Sequence, residues 1–217
     1  MSKIKGIIFD LDGVLVSTEI NHFISWKKIA NELNISFNEI DNEKLKGLSR
    51  EDSLKEILSI GNKTTNHTTF KQLLELKNKH YIRSIENINQ NNLLPGVLEF
   101  IKLSFESGLL LAVGSSSKNA HYILDKIKLK DYFKCIIDGN MVKDPKPNPE
   151  VFTNAAIGLN LKNNECIVFE DSLSGIMAAK SGGFYVVGVR NRNIMEDCDY
   201  FVENINEFDL NTNAKSI

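Results

Sequence analysis

The chain has 217 residues, 42% of them hydrophobic and 25% charged, and a formal net charge of −2. That is enough to bury a core and to hold one domain with a smaller one beside it, and the balanced charge recommends no polyanion such as nucleic acid as a partner. No apolar run approaches the roughly 20 residues of a membrane-spanning helix, the opening Met1-Ser2-Lys3-Ile4-Lys5 has no signal-peptide core, and Cys135, Cys166 and Cys198 are odd in number and lack a CxxC spacing, so the expectation is a cytoplasmic protein with reduced thiols.

Ile7-Ile8-Phe9 is a short β-type run that ends in Asp10-Leu11-Asp12-Gly13. Alternate residues of an extended chain face the same way, so Asp10 and Asp12 can share a pocket. Alone, DxDG is equally a polar turn after a strand; close carboxylates otherwise need a cation or a shared proton between them. Phe23, Trp26, Ile29, Ala30 and Leu33 then recur at helical spacing, with His22 at the start of the helix. Ser49 and Asp52 form a capping pair for a helix buried through Leu54, Ile57 and Leu58, and Lys46 and Arg50 flank its start. A third helix, from about Thr69 to Asn87, places Phe70, Leu73, Leu74, Lys77, Tyr81, Ile82 and Ile85 on one face; Lys77 is expected to snorkel outward from it. Residues 20–88 thus read as an all-helical block, closed by the polar run 88–92.

Helix and strand alternate from there. A helix after Pro95-Gly96 turns Val97, Phe100, Ile101 and Phe105 inward, followed by a strand (109–113), a helix (118–129), a strand (135–137), a helix opened by Asn148-Pro149, a strand (166–169), a helix (174–180) and a strand (184–189). This pattern makes an α/β open parallel sheet, a Rossmann-like core, with the all-α block inserted after its first strand. The expected division is residues 1–15 and 93–217 for the core and 16–92 for the insertion, with a polar, frayed tail from Asn211.

In such sheets ligands gather at the carboxyl ends of the strands. Polar groups collect there: Asp10 and Asp12; the hydroxyl-rich Gly114-Ser115-Ser116-Ser117-Lys118-Asn119; Lys146 between Pro145 and Pro147; and Glu170-Asp171, hard oxygen ligands that suit magnesium. Each has a dull explanation alone, as a turn, an N-cap or a surface charge. Four of them at strand ends, with complementary charge, point to phosphoryl chemistry.

In this order the four groups resemble the signature of the haloacid dehalogenase (HAD) superfamily, and the insertion resembles the α-helical cap of one of its subfamilies. DLDGV, LKGLSREDSL (45–54), LLPG (93–96), SSSKN (115–119), KPNPE (146–150) and FEDSLSGI (169–176) further resemble the β-phosphoglucomutase family, over roughly residues 5–190. The resemblance implies that Asp10 is the nucleophile and Asp12 the general acid/base, that Ser115 and Lys146 hold the transferring phosphoryl group, that His22 and Lys77 align Asp12 on closure, and that Thr18 lies in the hinge leading to the cap. It implies one Mg²⁺ per subunit, held by Asp10, the Asp12 main-chain carbonyl and Asp171, with Glu170 in or just outside that shell. Trp26, Lys46, Gly47, Ser49, Arg50, Ser116, Ser117, Lys118 and Asn119 fall at substrate-binding positions, with Arg50, Ser117 and Asn119 matching the holders of a second phosphate. The implied reaction interconverts β-glucose 1-phosphate and glucose 6-phosphate through an aspartyl phosphate and β-glucose 1,6-bisphosphate, which also primes it, in a monomer with a small sugar phosphate as its partner. Ser17 departs from the pattern, since many relatives carry an acidic residue there. A phosphatase uses the same core residues; Lys46 and Arg50 weigh against it. A non-catalytic phosphosugar binder needs neither Asp10 nor Asp12.

Overall fold

The alternation is realised as six strands: β1 (Gly6–Phe9), β2 (Leu110–Gly114), β3 (Cys135–Ile137), β4 (Cys166–Glu170), β5 (Tyr185–Val189) and β6 (Tyr200–Val202). They form one all-parallel sheet, ordered β3-β2-β1-β4-β5-β6, in a computed structural model that describes residues 4–210. Eight α-helices accompany them among the described residues. Four lie between β1 and β2: α1 (Glu19–Glu32), α2 (Glu39–Glu43), α3 (Arg50–Ile60) and α4 (His67–Ser84). The others are α5 (Val97–Glu106), α6 (Ala120–Lys126), α7 (Glu150–Leu159) and α8 (Leu173–Ser181). None of these helices is long and apolar enough to cross a membrane. The frayed tail expected from Asn211 lies outside the described residues.

Parallel strands are buried on both faces, which is why the central ones read as continuous apolar runs. Ile7 and Phe9 face one side with Leu111, Val113, Ile167 and Phe169, under α5 and α6. Ile8, Ala112, Cys166 and Val168 face the other, under α7 and α8. Phe9 stacks on Phe169 at 5.4 Å between ring centroids, and Phe100 meets Phe169 edge-on at 5.3 Å. Each fully buried side chain of this size contributes about 1.5–3 kcal/mol. This central packing fixes the height at which β1 and β4 end, and so the height of their polar termini.

The inserted helices have a core of their own, built on Trp26, Ile29, Leu54, Ile57 and Leu73. Tyr81, Ile85 and Ile88 instead join the main core, so the end of α4 is anchored to the sheet domain. The chain's two passages into and out of the insertion pair with each other: Ser17 N–H donates to Asn92 O at 2.9 Å and Leu94 N–H to Leu15 O at 3.1 Å.

Several expectations are corrected. Phe105 is not inward: it is 53% exposed and packs edge-on against Tyr132 at the surface. Lys77 does not snorkel; it is 3% exposed, because the stripe it interrupts faces polar groups as well as apolar ones. The helix expected to reach Leu129 stops at Lys126, where Lys128 takes a positive φ of 56°. The short α2, capped by Asn38 and Asp41, and the three-residue β6 were not anticipated.

Candidate active site

The ends of β1, β2 and β4 and the loop after β3 converge. Asp10 follows β1 directly, and its N–H still donates to Phe169 O at 3.0 Å, which fixes the direction of its side chain. Ser115 is held in the same way, by its N–H to Ile137 O at 2.9 Å. Glu170 is the last residue of β4, and Asp171 follows it. Lys146 reaches in from the loop after β3, fully buried, and donates to Asp10 Oδ1 at 2.5 Å and to Glu170 Oε1 at 2.7 Å.

Asp10, Glu170 and Asp171 bring carboxylate oxygens within 4.8 Å of one another. Burial pushes the Asp10 carboxyl up to about 7; Lys146 opposes this, and Glu170 and Asp12 add to it. Burial, then Glu170 and Asp10, push Asp171 well above the usual carboxylate range. Burial works against the Lys146 ammonium, but Asp10 and Glu170 outweigh it and raise its pKa. Ionised together, the three carboxylates would leave a buried charge near −2 against the one ammonium, which is why burial and mutual repulsion raise Asp10 and Asp171. A divalent cation with a taste for oxygen balances that charge, so the donor set fits Mg²⁺. Glu170 is already engaged: Oε1 by Lys146, Oε2 by Ser172 N–H at 2.6 Å and Ser172 Oγ at 2.9 Å. That suits an outer, orienting position better than direct ligation. The Asp171 carboxylate faces the cavity and packs on Gly13, where φ is +92° and a Cβ would collide with it.

Asp12 has separate company. Thr18 Oγ1 donates to its Oδ1, and Tyr81 Oη does so at 3.3 Å. His22 Nε2 lies 3.5 Å from the same oxygen, and Lys77 Nζ is 2.9 Å from His22 Nδ1. With Nδ1 accepting from Lys77, the imidazole proton sits on Nε2, near Asp12 but outside hydrogen-bonding geometry, so this buried N–H has no partner among the described residues. Burial alone would raise the Asp12 carboxyl, but His22, Thr18 and Lys77 together hold it below its ordinary value. Burial, then Lys77, lower His22, so its imidazole is neutral near pH 7.

Above these groups is a cavity of about 810 Å³, counted out to open solvent. Its sheet-domain wall is Asp10, Asp12, Asp171 and the 115–119 turn. Its other wall comes from the insertion: His22, Trp26, Lys46, Gly47, Arg50 and Lys77. Thr18, Lys146 and Glu170 lie beneath the lining rather than in it. Ser49 is also outside the lining; its hydroxyl caps α3, accepting from Asp52 N–H at 3.1 Å and donating to Asp52 Oδ2 at 2.6 Å.

Beyond the contacts of Asp12, further polar contacts join the insertion to the sheet domain. Ser116 Oγ donates to Gly47 O at 2.8 Å and Ser174 Oγ to Lys46 O at 3.2 Å. Lys118 pairs with Glu51 at 2.8 Å, and Asn119 Nδ2 donates to Asn78 Oδ1 at 3.1 Å. Two residues of the site escaped the sequence reading. Tyr81 reads as a core aromatic, although it stands one turn after Lys77; Glu19, beside Thr18, carries no signal in the sequence that singles it out.

The sequence profile of the haloacid dehalogenase-like hydrolases matches residues 7–189. A β-phosphoglucomutase of Bacillus subtilis (strain 168) is 36% identical over 208 residues, covering 95% of this chain and 92% of that protein. A phosphorylated carbohydrates phosphatase of Thermotoga maritima is 30% identical over 182 residues, covering 82% of each. The crystal structure of a β-phosphoglucomutase from Clostridium difficile superposes with a TM-score of 0.94 at 34% identity, covering 98% of this chain and 96% of that one.

Proposed function

The chain belongs to the haloacid dehalogenase-like hydrolase family, and from that premise we propose that it is a β-phosphoglucomutase, an intramolecular phosphotransferase acting on hexose phosphates. Residues 16–92 serve as a cap over the sheet domain. Asp10 attacks phosphorus: an Asp10 O–P bond forms as the sugar O–P bond breaks, giving an aspartyl phosphate. Ser115 and Lys146 hold the phosphoryl oxygens and offset the charge that develops on them. Asp10, Asp171 and the Asp12 carbonyl are the ligands assigned to Mg²⁺, with Glu170 orienting them. Bound there, the ion would neutralise charge on the nucleophile and on the phosphoryl group.

Asp12 moves the protons. Its lowered pKa means that it enters the cycle ionised, as a base. It takes the proton from the 6-hydroxyl of β-glucose 1-phosphate as that oxygen attacks the aspartyl phosphate. After the bisphosphate turns over in the site, Asp12 returns the proton to the 1-oxygen as the 1-phosphate passes to Asp10, and glucose 6-phosphate leaves. His22, Thr18, Tyr81 and Lys77 orient the carboxylate through both steps.

A phosphatase of the same family shares all of this except the acceptor. The observation that carries the mutase reading is that Arg50, Ser117, Lys118 and Asn119 line the same cavity as Asp10. A second phosphate needs such a set, and hydrolysis does not. The test supplies protein, Mg²⁺, β-glucose 1-phosphate and a trace of the 1,6-bisphosphate, and follows glucose 6-phosphate and free phosphate in parallel. Glucose 6-phosphate should form much the faster; dominant phosphate release makes the chain a phosphatase. Arg50→Ala should lower the mutase rate about 10- to 100-fold, the worth of a charged hydrogen-bonding clamp, and spare hydrolysis of a simple aryl phosphate. Equal losses with both substrates sink the clamp assignment.

A further inference from the structure

Lys46 lines the cavity but is not a free cation there. Its Nζ lies 3.1 Å from Glu19 Oε1 and 3.0 Å from Glu43 Oε1. Burial works against the ammonium, yet the two carboxylates outweigh it and raise its pKa. Glu43 stands at the rim, its side chain half exposed, and is not part of the lining. Glu19, the first residue of α1, is part of it. Its field also reaches Asp171, to whose raised pKa it contributes. A surface ion pair at a helix start has little energetic consequence; a carboxylate that faces a ligand cavity does.

The cavity therefore has two unlike ends. Around Arg50 and Lys118 the charge stays net positive even with Lys118 paired to Glu51 at 2.8 Å, which suits a phosphate. Around Lys46 it presents a donor and an acceptor about 3 Å apart, with no net positive charge. A phosphate dianion at that end would be repelled by Glu19. A hydroxyl group would not: it can accept from the ammonium and donate to the carboxylate at once. Resting on the sugar-phosphate reading above, we infer that Glu19 is a specificity-determining residue, which accepts a hydrogen bond from a ring hydroxyl of the substrate while Lys46 donates to the same or the adjacent oxygen. Glu19 thereby excludes phosphate from this end and leaves one orientation in which the phosphate reaches Arg50.

The test compares Glu19→Ala and Glu19→Gln with the full-length wild-type protein in Mg²⁺. The readouts are kcat and KM with β-glucose 1-phosphate, with its 2-, 3- and 4-deoxy analogues, which keep the attacking 6-hydroxyl, and with acetyl phosphate, a phosphoryl donor that carries no sugar hydroxyl. The wild type should favour the parent sugar over at least one monodeoxy analogue by about tenfold or more. Glu19→Ala should erase that preference, chiefly through KM, and should lose about tenfold more with the sugar phosphate than with acetyl phosphate. Glu19→Gln keeps an acceptor and should recover part of the preference. An unchanged deoxy-sugar preference in Glu19→Ala overturns the inference, and so does an equal loss with the sugar and acetyl phosphates. A wild type that consumes acetyl phosphate but no hexose phosphate overturns the sugar-phosphate reading itself, and this inference with it.

Discussion

Asp10→Asn should abolish phosphoryl transfer, by roughly 10⁵-fold or more, as loss of an enzyme nucleophile typically does. The amide is nearly isosteric but a poor nucleophile, and Asp171, the other carboxylate of the acidic cluster that lines the cavity, is needed by the metal set. Stability should move little, and upward if at all. Three carboxylates crowd one buried ammonium, and burial already disfavours the Asp10 anion. Asparagine removes that repulsion, while Lys146 keeps its 2.7 Å bond to Glu170. Rapid quench with labelled sugar bisphosphate reads the phospho-enzyme directly, and thermal unfolding without added metal reads the fold. A correctly folded Asp10→Asn protein that still labels or turns over sinks the nucleophile assignment.

Lys77→Met should stabilise the protein near pH 6 and damage catalysis. Burial, with Arg50 adding and Asp12 opposing, lowers the Lys77 ammonium from 10.5 to about 7. The unfolded chain keeps that proton up to about pH 10.5. Between pH 7 and 10.5 the folded state therefore binds fewer protons than the unfolded one, and stability rises with pH across that window. Below pH 7 the full cost of a buried charge is present, on the order of a few kcal/mol. Methionine fills similar space against Trp26 and Tyr81, whose rings lie 4.8 Å from Nζ, so its gain in unfolding midpoint, several degrees at pH 6, should fade by pH 9.5. The loss of the hydrogen bond to His22 frees the imidazole to turn away from Asp12, and kcat should fall about 10- to 100-fold, within the range of acid–base assistance. A pH-independent gain assigns the effect to packing. A lower midpoint at pH 6 means that Asp12 and the aromatic rings over-compensate the buried charge.

That trade between stability and activity also marks where sequence reading reached its limit. Asp10, Ser115, Lys146 and Glu170 were legible because each ends an apolar strand or sits in a loop with distinctive turn chemistry, and parallel topology carries such positions to one edge. The Ser49 cap was legible because capping is local, although its consequence, that the hydroxyl faces its own helix and not the cavity, was not. Periodicity alone misplaced Lys77, which the family resemblance sets beside His22 and Asp12, because it reports which face of a helix is buried, and not what waits opposite: His22 comes from a helix 55 residues earlier. Tyr81 passed as core for the same reason, since its ring is core and only its hydroxyl reaches Asp12. β6 has three residues and α2 five, too few to carry a period. Phe105 failed on a different ground: the helix buries Val97, Phe100, Ile101 and Ser104, and Phe105 falls at the flank of that face.

The contacts from Ser116 and Ser174 end on the carbonyl oxygens of Gly47 and Lys46. A loop that docks through its main chain offers the same acceptors whatever side chains it bears, Gly47 excepted, where a Cβ would strike Ser172 and Ser174. Neighbouring positions such as 46 and 48 are therefore free to drift without loosening the seat of the loop. Descendants of such a gene can acquire new substrates by point substitution while inheriting the docking unchanged, and one glycine is what that freedom requires them to keep.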